Sequence, residues 1–124
     1  MNKFELEYVI QTSPKVLFER LSNASGLSEW FADDVNQKGN IFTFIWDGAE
    51  QQAELLHKKT NRMVRFHWLD HEEEDTFFEF RLEIDALTNE LALIITDFAD
   101  DDEIDESMEL WDTQIAELKQ LLGV

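Results

Sequence analysis

Ile104, Met108, Trp111, Ile115, Leu118 and Leu122 recur at steps of four, three, four, three and four. That spacing draws one apolar stripe down an α-helix, whose period is about 3.6 residues. The opposite face is Glu106, Glu109, Asp112, Thr113, Glu117 and Gln120. A helix of this kind is marginal alone in water, because its stability comes from laying the stripe on another apolar surface. At about 1.5 Å per residue it is roughly 28 Å long, a length suited to crossing a sheet. The rest of the chain must therefore supply a sheet with one apolar face.

The preceding residues have that pattern. Phe4, Leu6, Tyr8 and Ile10 alternate with Lys3, Glu5, Glu7 and Val9, as in a strand with one buried face. Ser13-Pro14 reads as the N-cap and first residue of a short helix carrying Leu17, Phe18 and Leu21. Ser22 to Gly26 ends it. A second short helix is predicted over Leu27–Ala32, capped by Ser25 or Ser28, with Leu27, Trp30 and Phe31 clustered on it. A short strand near Val35 follows. Phe42, Phe44 and Trp46 then alternate with Ile41, Thr43 and Ile45, and Asp47-Gly48 is a hairpin signal. Glu50–Lys58 is the return strand, with Ala53, Leu55 and His57 inward. Val64, Phe66 and Trp68 form the inner face of the next strand. Beyond the acidic loop His71–Asp75 come Phe78, Phe80, Leu82 and Ile84, the turn Thr88-Asn89, and Leu91, Leu93 and Ile95 in a strand ending near Phe98. Asp101 or Asp102 is placed to cap the long helix. Short turns between these strands predict an antiparallel meander.

With 124 residues the chain suits a single domain over 1–124 with one sizeable core. Its net charge of −18 argues against phosphate backbones and anionic lipid surfaces as partners, so no nucleic acid is expected. The acidity is read either as surface solubility or as a docking face for a basic protein partner, a DNA mimic included. The absence of Cys removes disulfides, thiolate catalysis and Cys-based zinc sites. No signal-peptide pattern and no span-length apolar run is visible, so a cytoplasmic protein without membrane insertion is expected.

The order of these elements resembles the START-like superfamily with the helix-grip fold, also called Bet v 1-like or SRPBCC. Within it the likeness is to the Aha1-like branch and to small bacterial START-like proteins of unknown function. The carrying residues are Ser13-Pro14 with Leu17-Phe18 and Leu21, Leu27 to Trp30-Phe31-Ala32, Phe42 to Gly48, Val64 to Trp68, and Leu110-Trp111. The resemblance spans essentially the whole chain. It implies an α+β fold in which a curved antiparallel sheet of about six or seven strands grips the C-terminal helix. It also implies a space between them that in many members holds lipids, sterols or other apolar molecules, and it puts Trp30, Phe31 and Trp46 near the mouth. Some members are cyclases or hydrolases, and some bind proteins such as the Hsp90 chaperone. This chain departs from many relatives in having Leu110 before Trp111 where they carry Gly-Trp. It also has Thr88-Asn89-Glu90 where they carry a Gly-Gly-Thr-like turn.

The inward aromatics Phe44, Trp46, Phe66, Trp68, Phe78, Phe80 and Trp111 carry the functional reading, together with Trp30, Phe31, Met108 and Ile115. They either line a ligand cavity or fill the grip as solid core. Arg65 and Arg81 are expected to make exposed cross-strand ion pairs; an inward one would instead suit the head of a fatty-acid-like ligand. Asp97, Asp100 to Glu103, Asp105 and Glu106 form the densest acidic run. It reads as solvated helix-capping charge, with Asp100, Asp101, Asp102 and Asp105 as the candidate surface for a basic partner. The run lacks the order of an EF-hand loop. His67 and His71 lie on a strand and in a turn, so no metal site is expected. No nucleophile triad, phosphate loop or nucleotide fingerprint is present, so no catalytic set and no cofactor are called. The expected function is a START-like module holding a small hydrophobic or amphipathic ligand between sheet and last helix. The alternative is an acidic protein-interaction module with a filled core.

Overall fold

The computed structural model describes residues 1–124. The chain runs β1 (Asn2–Val9), α1 (Pro14–Glu19), α2 (Ala24–Leu27), β2 (Asp34–Lys38), β3 (Ile41–Trp46), β4 (Ala49–Lys59), β5 (Met63–Trp68), β6 (Phe78–Ile84), β7 (Leu91–Ala99) and α3 (Ile104–Leu122). All seven strands join one curved, open antiparallel sheet in the order β1-β7-β6-β5-β4-β3-β2. From β2 to β7 each strand pairs with its successor, since short turns make that closure cheapest in chain entropy. β1 and β2 sit on opposite edges, and α1 and α2 carry the chain between them. α3 lies on the inner face, burying Trp111, Ile115 and Leu118 while Glu106, Glu109, Asp112 and Glu117 stay exposed.

The β3–β4 hairpin forms as the Asp47-Gly48 signal predicts. Trp46 is opposite Ala49, and the two turn residues have φ of 49° and 80°. Positive φ at both positions is the type I′ turn, whose twist matches the strands it joins. β4 does not alternate throughout. Leu55 is opposite Phe66 but His57 is opposite Arg65, so Leu56 is the extra residue of a bulge. The bulge reverses the pleat and turns His57 outward, against the expectation that it faces the core, and it bends the strand.

The helix ends differ from expectation for reasons of hydrogen bonding. Ser13 caps α1 as foreseen, accepting from the Val16 N–H. α2 begins earlier than the predicted Leu27–Ala32, because Asn23 rather than Ser25 or Ser28 is the cap, accepting from the Gly26 N–H at 2.7 Å. Past Leu27 the chain leaves the helix in tight turns, with the N–H groups of Trp30, Phe31 and Ala32 all within 3.4 Å of the Leu27 carbonyl oxygen. Neighbouring residues on a regular helix point about 100° apart; the turns let Trp30 and Phe31 both enter the core, at 5% and 4% exposure. Neither Asp101 nor Asp102 caps α3. Glu103 holds the cap position without a side-chain bond, a turn closes from the Glu103 N–H to the Asp100 carbonyl, and Asp101 instead accepts from Asn2.

The junction of α1 and α2 depends on Gly26. A Cβ there would lie 1.9 Å from the Glu19 carbonyl oxygen and 2.8 Å from the Arg20 Cα, both backbone atoms. Gly26→Ala is therefore expected to destabilise the protein by roughly 2–3 kcal/mol, despite alanine's better helix propensity. Urea unfolding measures this. An unchanged midpoint would show that the two short helices separate without cost.

Candidate functional site

Strand alternation decides what faces the helix. Phe42 and Phe44 on β3, Phe66 on β5, and Phe78 and Phe80 on β6 are all under 2% exposed. Their rings interlock, with Phe66 and Phe78 stacked at 5.0 Å and Phe42 and Phe66 edge to face at 5.1 Å. The middle of the grip is thus solid. At the end where β3, β5 and β7 reach the N-terminal half of α3, the packing opens into a half-open cleft of about 340 Å³. Its sheet side is Trp46, Gln51, Trp68 and Asp97. Its helix side is Ser107, Leu110, Trp111 and Gln114, with Phe31 at the back.

Phe31 organises this end. Its ring is within 6.1 Å of Trp30, Phe44, Trp46, Phe78, Phe80 and Trp111. Its carbonyl oxygen accepts from the Trp46 Nε1–H at 2.9 Å and from the Gln114 side-chain amide at 3.1 Å. One residue therefore joins the α2–β2 connection, the sheet and the helix.

Asp97 occupies the inward register of β7, after Leu91, Leu93 and Ile95, and lies opposite Phe4 of β1. One carboxylate oxygen accepts from the Trp111 Nε1–H at 2.9 Å and the other from the Phe98 backbone N–H at 2.8 Å. Burial pushes its pKa above the usual carboxylate range, and the bonds from Trp111 and Phe98 and the charge of His71 offset this only in part. No Lys, Arg or His forms an ion pair with it. Among the residues lining the cleft it alone is titratable.

Of the aromatic candidates, Phe31, Trp46, Trp68 and Trp111 line the cleft. Phe44, Phe66, Phe78, Phe80 and Ile115 are core beneath it, and Met108 packs half-buried beside that core. Trp30 is also core; its indole N–H donates to the Arg20 carbonyl at 2.7 Å. The sequence reading did not assign Asp97, Gln51, Ser107, Leu110 or Gln114 to the site. Asp97 had a legible signal, a charge on the inward register of an otherwise apolar strand face. Leu110, at 60% exposure, reaches the rim from beside the apolar stripe.

The other candidates lie elsewhere. Asp100 is 3.6 Å from the N-terminal amine, Asp101 is held by Asn2, and Asp102 and Asp105 are exposed. His67 and His71 both turn to Thr76, through its carbonyl oxygen at 2.7 Å and its hydroxyl at 3.2 Å. Arg65 and Arg81 face outward, away from the cleft, and converge on Glu79. That carboxylate is 3% exposed, with Arg65 at 2.8 Å and Arg81 at 3.4 Å. The Arg65 guanidinium also lies 4.0 Å over the Phe77 ring. The exposed pairs of the sequence reading are therefore a partly buried cluster, and no basic side chain lines the cleft.

A single curved antiparallel sheet wrapped around a long C-terminal helix, with a cleft at one end of that grip, defines a helix-grip domain. The chain belongs to the START-like superfamily, whose domain matches residues 1–124. The solution structure of BfR322 from Bacteroides fragilis is 37% identical, with 98% of this chain and 90% of that one covered and a TM-score of 0.68. The Aha1 dimer from Colwellia psychrerythraea is 20% identical with a TM-score of 0.80, covering 96% of this chain and 94% of that one. MLL2253 from Mesorhizobium loti is 20% identical with a TM-score of 0.77, covering 98% and 97%. The last two show likeness of fold alone. No curated protein matches the chain. No helix is long and apolar enough to cross a membrane.

The state of Asp97 should be visible in stability. Its folded pKa is raised, so the folded chain holds this proton more tightly than the unfolded one. Its contribution is then fully present below about pH 4, the unfolded carboxyl range, and is lost as pH rises through the folded value. Asp97→Asn keeps an acceptor for Trp111 and removes this dependence. The stability of the variant minus that of wild type is expected to grow from about pH 4 upward and then level off. Urea unfolding across a pH series measures it, and a difference that is flat with pH contradicts the assignment.

Proposed function

We propose that this protein is a small-molecule binding module whose site is the half-open cleft between the ends of β3, β5 and β7 and the first half of α3. The observation that carries this reading is the cleft's lining, in which Phe31, Trp46, Trp68 and Trp111 supply apolar surface and Asp97, Ser107 and Gln114 supply a few polar groups. An apolar wall with a small set of orienting polar groups is the usual composition of a ligand site. Membership of the START-like superfamily is compatible with it.

Size and charge narrow the ligand. A volume of about 340 Å³ suits a compact molecule. The solid layer of Phe42, Phe44, Phe66, Phe78 and Phe80 leaves no tunnel for a long acyl chain, which favours a compact apolar or amphipathic ligand over a lipid with long tails. With Arg65 and Arg81 facing outward, the cleft lacks a partner for a fatty-acid carboxylate. A single titratable group makes no acid–base pair, which favours holding a molecule over converting it.

Native mass spectrometry of protein purified without detergent tests the reading, beside a Ser107→Phe variant that fills the cleft from α3. Wild type is expected to carry one organic molecule per chain. Ser107→Phe should lose that adduct and keep its melting temperature. An adduct retained equally by Ser107→Phe would place the ligand elsewhere and contradict the proposal.

A further inference from the structure

The protein sets two carboxylates into its sheet, Glu79 fully buried and Asp97 partly buried at the cleft, and treats them differently. Glu79, on the outer face, is neutralised by Arg65 and Arg81. Asp97, on the inner face, receives only two neutral donors, each spending one lone pair of a different oxygen. Even partial removal from water is costly for a carboxylate without a counter-charge. Holding the Trp111 indole does not require that cost, because an amide oxygen accepts the same bond. The chain supplies no cation to the cleft: none of its ten Lys and Arg residues lines it. His71 acts on Asp97 through its charge but makes no ion pair with it, its Nδ1 being bonded to Thr76.

The rings beside Asp97 complete the picture. Trp46 and Trp68 stand 6.1 Å apart at 55°, a tilt that opens a corner rather than a closed stack. Phe31 continues the wall, 5.5 Å from Trp46 and 5.8 Å from Trp111. The faces of aromatic rings are electron-rich and attract cations, with tryptophan the most effective. The chain's overall net charge of −18 draws cations toward the protein and turns anions away.

Resting on the reading of the cleft as a ligand site, we infer that its ligand is an organic cation, a substituted ammonium head on an apolar body. The head pairs with the Asp97 carboxylate against Trp46, Trp68 and Trp111. The ligand thus provides the counter-charge that the fold withholds, and the apolar body lies along Phe31 and Leu110.

The test compares benzyltrimethylammonium, its uncharged carbon isostere neopentylbenzene within its solubility, and the phenylacetate anion. Binding is followed at neutral pH by tryptophan fluorescence. Wild type is expected to bind the cation at least about tenfold more tightly than the isostere, and to bind phenylacetate most weakly. In Asp97→Asn that preference should collapse toward unity while the isostere binds as before. Glu90→Gln, an exposed change of the same net charge far from the cleft, should keep the wild-type preference. Should Asp97→Asn fail to fold, Trp68→Leu serves in its place, and it should weaken the cation more than the isostere. Equal binding of cation and isostere by wild type overturns the inference and leaves the cleft as a ligand site. A preference that survives in Asp97→Asn traces it to overall charge and also overturns it, as does an equal loss of both probes in Trp68→Leu. Failure of all three probes to bind overturns both the inference and the proposed site.

Discussion

The fold depends on the aromatic layer that Phe31 ties together. A long helix resting on a sheet through a single stripe of side chains could slide or rotate, because hydrophobic contact has no direction of its own. Phe31 removes that freedom. Its ring packs edge to face on Phe44 and stacks near parallel with Trp111, so sheet and helix share one neighbour. Its carbonyl takes one hydrogen bond from each of them. Tyr8 to Asp112, at 2.5 Å, fixes the helix on the other side, from β1. These directed bonds set the position that burial alone leaves loose.

The same layer determines where the molecule is open. Five phenylalanines fill the centre of the grip. Trp46 and Trp68 end the inward faces of their strands, where no further phenylalanine covers them, and the first half of the helix carries the polar Ser107 and Gln114 beside its stripe, with Leu110 largely exposed. A cleft results at that end. The choice between cavity and solid core, left open by the aromatic pattern, resolves as solid below and open at the rim. The two carboxylates then lie on opposite faces of the sheet, the buried Glu79 neutralised from within and the partly buried Asp97 left to the cleft.

Much of this was legible in the chain. The α3 stripe, the hairpin at Asp47-Gly48 and the inward faces of β1, β3, β5, β6 and β7 follow from period and turn chemistry, which act locally. The features that were missed depend on groups distant in sequence or on local hydrogen bonds that compete with a pattern. His57 faces outward because one extra residue reverses the pleat, and a bulge leaves no periodic mark. α2 ends early because the Leu27 carbonyl gathers the following N–H groups, while Trp30 and Phe31 give up helical geometry for burial. Asp97 was read with its acidic neighbours because proximity in sequence outweighed its place in the alternation. Its partner Trp111 is fourteen residues away and meets it only once α3 has folded back.

The four tryptophans offer a direct test of the claim that ligands enter the rim cleft and not the centre of the core. Three indole N–H groups are held by protein acceptors: Trp30 by Arg20, Trp46 by Phe31 and Trp111 by Asp97. A nitrogen–proton correlation spectrum resolves each as its own signal. On titration with benzyltrimethylammonium and neopentylbenzene in turn, the signals of Trp46, Trp68 and Trp111 should move together while that of Trp30 stays fixed. Movement of Trp30 along with the others, or stillness of all three cleft tryptophans with both probes, would contradict this account of the site.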